Sequence, residues 1–173
     1  MAWVVLWVYC VALAVWLGQT VFFSFVVAPR LFGNLPVEQA GVAMGLIFPA
    51  YYGVSHLCGA VALFAALMLR RWSRPGGGRW LIAALVCGLA LAASLYAGIA
   101  VQPRASVLRA MLHSADPPPA ARQEFDRLHA RAVQLNGVVL VGTLALSALL
   151  AAQLVEPASR QRRRVRYESD VQL

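Results

Sequence analysis

Seven side chains could together bind an anion, carry a proton or hydrogen-bond a ligand: Arg30, Tyr52, His56, Arg104, Glu124, His129 and Asn136. A guanidinium fork grips a carboxylate or phosphate bidentately. An imidazole, with an ordinary pKa of about 6.5, changes charge near neutral pH. Arg30 and Arg104 each follow a proline, in Val27-Ala-Pro-Arg30 and Val101-Gln-Pro-Arg104. His129 and Asn136 are seven residues apart, close to one face of a helix. His56 and His129 could also serve as two axial ligands of a haem, with the arginines against its propionates. The three cysteines, Cys10, Cys58 and Cys87, lie in apolar stretches without a CxxC spacing, so they form neither a disulfide framework nor a zinc signature. HExxH, GxSxG, P-loop and dinucleotide patterns are absent from the sequence, so no catalytic or metal-ligating set is assigned.

The elements that must position these residues are apolar. Of 173 residues, 61% are hydrophobic and 13% charged, against about 45–50% and about 25% in soluble domains. That balance excludes a soluble globule and a disordered chain, and it makes the lipid bilayer the expected partner. A helix needs about 20 apolar residues to cross the hydrocarbon. Four stretches qualify, at 2–28, 41–69, 80–102 and 132–155. The expected fold is therefore all-α, a four-helix transmembrane bundle in residues 1–156 followed by a basic tail, 157–173. The apolar start is too long for a signal peptide and reads as a retained span.

All 15 basic residues are arginine, and the net charge is +8. The loop 70–79 carries four arginines and no acid, and the tail carries five between Arg160 and Arg166. The positive-inside rule puts both in the cytoplasm, with both termini, in a cell membrane. The tail follows an apolar helix, so it is expected to meet anionic headgroups rather than nucleic acid. Glycines at 76–78 mark a turn in that loop. On this topology the polar exceptions of the spans, Gln19, Thr20, Ser24, His56 and Asn136, lie in the outer half, level with Arg30 and Arg104; Ser94 is placed deeper.

Two further patterns concern the outer end. Val107, Leu108, Met111 and Leu112 have helical spacing, so span three is expected to continue as an amphipathic helix up to the break at Asp116-Pro-Pro-Pro119. A second helix is expected from Ala120, with Phe125, Leu128, Ala132 and Val133 on one face. The two Pro-Arg segments are offset by 74 residues; Thr20 meets Ser94 and Phe22 meets Tyr96 at that offset, as in a duplicated two-helix hairpin. Gly41-x-x-x-Gly45, Ser55-x-x-x-Gly59 and Ser94-x-x-x-Gly98 are small-residue patterns of close helix packing.

Pro29-Arg-Leu-Phe-Gly33, Phe48-Pro-Ala-Tyr-Tyr52, Gln102-Pro-Arg104 and Glu124-Phe-Asp-Arg-Leu-His129 with Asn136, in that order, resemble the transmembrane protein 205-like domain. The resemblance spans about residues 28–140 and implies a four-helix membrane domain. It places functional weight on Pro29, Arg30, Phe48, Pro49, Tyr52, Pro103, Arg104, Phe125, His129 and Asn136. The short 113–121 connection and the basic tail depart from animal members of that family.

Together these residues suggest a non-enzymatic membrane protein that binds or moves a small solute or lipid through an outward-facing cluster. Its members would be Pro29, Arg30, Tyr52, His56, Pro103, Arg104, Glu124, Phe125, His129 and Asn136. Haem or metal binding through His56 and His129 is the alternative, and a structural or assembly subunit is the third.

Overall fold

A computed structural model describes residues 1–72, 77–112 and 118–171, with side chains described as far as Gln153. Four long helices carry the described chain: α1 (Ala2–Asn34), α2 (Val37–Trp72), α3 (Gly78–Leu112) and α4 (Pro119–Val171). All four contain stretches long and apolar enough to cross a membrane, and the architecture is an all-α four-helix transmembrane bundle. The side chains of the basic tail, the residues 73–76 and the break at 113–117 lie outside the described residues.

In lipid, water no longer drives helices together, so close packing and interhelical hydrogen bonds decide which faces meet. α2 packs on α1 and α3, and α4 packs on α3 and α1, giving a ring of neighbours. Near the N-terminal end the core draws on all four helices, with Tyr9 and Leu13 of α1, Ala62, Ala65, Ala66 and Leu69 of α2, Trp80, Ala83, Ala84 and Cys87 of α3, and Leu146 of α4. The alanines are the reason the backbones approach; the large rings of Tyr9 and Trp80 fill the space edge to face, 5.4 Å apart. Farther along, Trp16 packs with Cys58, Ala90, Ala93 and Val139. At the distal end, away from Met1, Val101 and Leu108 of α3 meet Ala121 and Leu128 of α4.

That distal packing corrects the expected stripe on α3. Leu108 and Leu112 turn inward with Val101 and Ala105, while Val107 and Met111 are exposed. On α4, Phe125, Leu128 and Ala132 do face inward with Ala121, but Val133 is exposed. At 3.6 residues per turn the 101-105-108-112 series shares one narrow face, and it is the face that meets α4.

Two helices carry a π-turn before a proline. Phe23–Val27 precedes Pro29, and Ala97–Val101 precedes Pro103. The Ala28 N–H reaches the Phe23 carbonyl and the Gln102 N–H reaches the Ala97 carbonyl, five residues back in each case. Proline has no N–H, and its ring crowds the carbonyl four residues earlier; a π-turn admits one more residue and relieves that contact. The turns are separated by the same 74 residues as the Pro-Arg segments. Pro49, by contrast, sits within continuous α-helix.

Candidate functional site

Between the middle and distal cores lies a polar layer to which every helix contributes. Trp16 Nε1 of α1 donates to Ser55 Oγ of α2 at 2.7 Å, and Ser55 Oγ is 2.8 Å from Ser94 Oγ of α3. His56 Nε2 is 3.1 Å from the Ser94 carbonyl. On the other side, Tyr51 of α2 donates to Asn136 Oδ1 of α4 at 2.5 Å, and Asn136 Nδ2 donates to Ser24 Oγ of α1 at 2.8 Å. Thr20 is fully buried and returns its hydroxyl to the Trp16 carbonyl, the usual way a helical threonine satisfies itself. Gln19 Nε2 is buried without a hydrogen-bond partner among the described residues.

Local sequence explains how these groups come so close. Ser55 and Gly59 are four residues apart on one face of α2, and both serve Trp16. A Cβ on Gly59 would stand 2.8 Å from the indole Cη2 and 2.9 Å from Leu91 Cδ1. Ser94 and Gly98 do the same for α2's rings: a Cβ on Gly98 would lie 2.8 Å from Tyr52 Cγ and 3.0 Å from His56 Cε1. The two small-residue patterns are therefore seats for aromatic side chains. Phe48, Tyr52 and His56, at helical spacing, run along α2 with neighbouring ring planes tilted by 26° and 27°. Phe23, the first residue of the π-turn in α1, stacks on Tyr51 at 4.4 Å.

These walls leave a small hollow lined by Tyr51, Tyr52, Ser94, Ala97, Leu135, Asn136 and Val139. Its volume of about 10 Å³ is on the order of the least that holds one water. Neither His56 nor His129 lines it.

The sequence-derived residues divide into three groups. Tyr52, His56 and Asn136 meet in the polar layer. Phe125 and His129 stack on each other at 6.3 Å on α4, with Phe125 in the distal core and His129 exposed. Pro29, Arg30, Pro103, Arg104 and Glu124 are exposed, and among the described residues neither guanidinium makes an ion pair. Phe48 is half-buried and Pro49 exposed. Of the charged pairs, Arg122 and Asp126 approach to 3.7 Å on the surface.

Besides Ser24 and Ser94, which stood out only as polar residues of the spans, four contributors are not among the site members expected from the sequence. Tyr51 and Ser55 had a legible signal, because they stand four residues apart on the stripe of α2 that continues through Gly59 and Ala62. Trp16 and Arg109 had none. Arg109 Nη1 donates to the Gly41 carbonyl at 2.6 Å, and its guanidinium carbon sits 5.6 Å from the Phe125 ring centroid. A Cβ on Gly41 would lie 3.2 Å from Arg109 Cδ, so the Gly41-x-x-x-Gly45 pattern seats an arginine.

The family model "Domain of unknown function (DUF4149)" matches residues 11–114, more than half of the chain. An uncharacterized protein of Aquifex aeolicus (strain VF5) is 42% identical over 52 residues, which cover 30% of this chain and 39% of that relative. The chain thus matches well under half the relative's length. No solved structure matches.

Proposed function

The chain belongs to the DUF4149 family, described as a domain of unknown function, and from that premise we propose that it binds or moves a small solute or lipid headgroup through the distal half of the bundle. It is read as a multi-pass membrane protein without an enzymatic role. The observation that carries the reading is the polar layer. Side chains from all four helices spend their hydrogen bonds around a hollow, in a setting where polar groups are costly and mark function.

Arg30 and Arg104, following Pro29 and Pro103 just past the two π-turns, supply the outer positive charge that draws an anionic group, and Glu124, Phe125 and His129 of α4 are its further outer members. Tyr52, His56 and Asn136 supply the inner contacts. Gln19 Nε2, without a partner among the described residues, adds a donor in the same stretch of α1 that an acceptor would satisfy. The resemblance to the transmembrane protein 205-like domain supports Pro29, Arg30, Tyr52, Pro103, Arg104, Phe125, His129 and Asn136 among them. The distal end faces away from the cytoplasm on the charge rule, with both termini cytoplasmic and the basic tail on anionic headgroups.

Thermal unfolding of the full chain in nanodiscs tests the proposal. Acetate, phosphate and phosphatidylglycerol are the probes, since a ligand of the native state raises the midpoint by mass action. Stabilisation by one of them that is lost in Arg30→Ala or Arg104→Ala, with folding intact, supports it. Equal stabilisation of both variants and the parent rejects it.

A further inference from the structure

Distal to the hollow, apolar side chains and one arginine hold the helices together. Val101, in the π-turn of α3, and Leu135 of α4 belong to the distal core, and Leu135 also lines the hollow. Ala97, the first residue of that π-turn, is another wall of the hollow and is 3% exposed. Beyond the π-turn the segment Gln102–Leu112 rests on α4 through Leu108 and Leu112. On its other side Arg109 ties it to the first turns of α2 at Gly41, while the guanidinium lies over Phe125 of α4.

We propose that Gln102–Leu112 is a lid over the polar hollow, hinged at the π-turn Ala97–Val101 and latched to α2 by Arg109. Two walls of the hollow, Tyr51 and Tyr52, belong to α2, and the others belong to α3 and α4. Moving the distal ends of α3 and α4 away from α2, which also parts Tyr51 from Asn136, therefore opens the hollow. The helix has a place to bend, because the π-turn and Pro103 interrupt the regular four-residue bonds there. The latch is polar, whereas the contact with α4 is apolar and extended. Gly41 is the residue that makes it possible, since any Cβ there would press on the arginine stem.

This proposal rests on the hollow being the solute site, but its test needs no solute. Ala97→Cys is placed in the full chain with Cys10, Cys58 and Cys87 changed to alanine. Labelling in membranes by a charged, membrane-impermeant maleimide is then timed. The latched chain labels slowly. Arg109→Ala labels at least about tenfold faster, the factor expected when a charge-assisted hydrogen bond and a cation–π contact are lost. Gly41→Val, which displaces the arginine without removing it, labels faster as well, and the surface variant Arg122→Ala labels like the parent. Arg109→Lys, which keeps a donor for the carbonyl, falls between and serves if the alanine variant does not fold. Folded Arg109 and Gly41 variants that label at the parent rate would overturn the lid, whatever the nanodisc measurements show. Faster labelling with no stabilisation by any probe would leave the lid standing and reject the solute reading.

Discussion

Trp16 and Ser55 are joined across two helices by a 2.7 Å hydrogen bond, and the same indole ring fills the space left by Gly59 one turn farther along α2. The pair couples a packing contact to a polar one. Ser55 then passes the link to Ser94 on α3, so one residue of α1 organises three helices.

Removing only the donor tests the polar half of that relationship. Trp16→Phe leaves most of the ring volume and deletes the N–H. Interhelical hydrogen bonds in membranes are worth about 0.6 kcal/mol on average, so the loss is expected near 1 kcal/mol. Trp16→Ala should cost about 3–5 kcal/mol through the cavity it leaves. Unfolding in mixed detergent micelles measures both, and equal losses would separate the ring from the packing role given to it.

Glycine substitutions should depend on what a Cβ meets. Gly98→Ala drives a methyl into Tyr52 and His56 and should destabilise by about 1–3 kcal/mol, the cost of overpacking. Gly88→Ala meets nothing within 4 Å and should be neutral, or stabilise by up to about 1 kcal/mol from helix propensity. The same unfolding assay compares them, and similar behaviour would contradict the seat described for α2's rings.

Asn136 serves two partners, Tyr51 and Ser24. Asn136→Leu strands both and is expected to cost about 1–3 kcal/mol. Tyr51→Phe added to it should cost less than the sum of the single changes, because neighbours in one network are not additive. A double-mutant cycle on midpoint temperatures gives the coupling; an additive result would mean the two do not share a bond in the folded bundle.

The surface pair is expected to be silent. Arg122 and Asp126 are exposed and 3.7 Å apart. Such i,i+4 pairs contribute about 0.3–0.5 kcal/mol at most, so Asp126→Ala should move the unfolding midpoint by no more than a degree or two. A larger shift would point to a distal role for Asp126 that the geometry does not give it.

Pro103→Ala restores an N–H two residues after the π-turn Ala97–Val101. The crowding that favours five-residue bonds is then gone, and the distal part of α3 should straighten. Spin labels on exposed Val107 and exposed Leu46 of α2 would report it as a changed distance distribution. An unchanged distribution would assign the π-turn to packing instead of proline.

Much of this protein is legible in its sequence. An uncharged run of some twenty residues must close its backbone hydrogen bonds within itself in lipid, so the four helices follow from composition alone. The Pro-Arg segments already showed the 74-residue spacing that reappears in the two π-turns, because a proline imposes its constraint locally. His56 and Asn136 announced the polar layer by being polar where neighbours were not. What the sequence could not determine was pairing between helices. Trp16 finds Ser55, Tyr51 finds Asn136 and Arg109 finds Gly41 across 39, 85 and 68 residues, and only the way the helices cross sets those meetings. The same tertiary geometry placed Arg30 and Arg104 at the surface, turned Val107 and Met111 outward and made Leu108 part of a core. A helix specifies which residues share a face, but its rotation against its neighbours decides which face is buried.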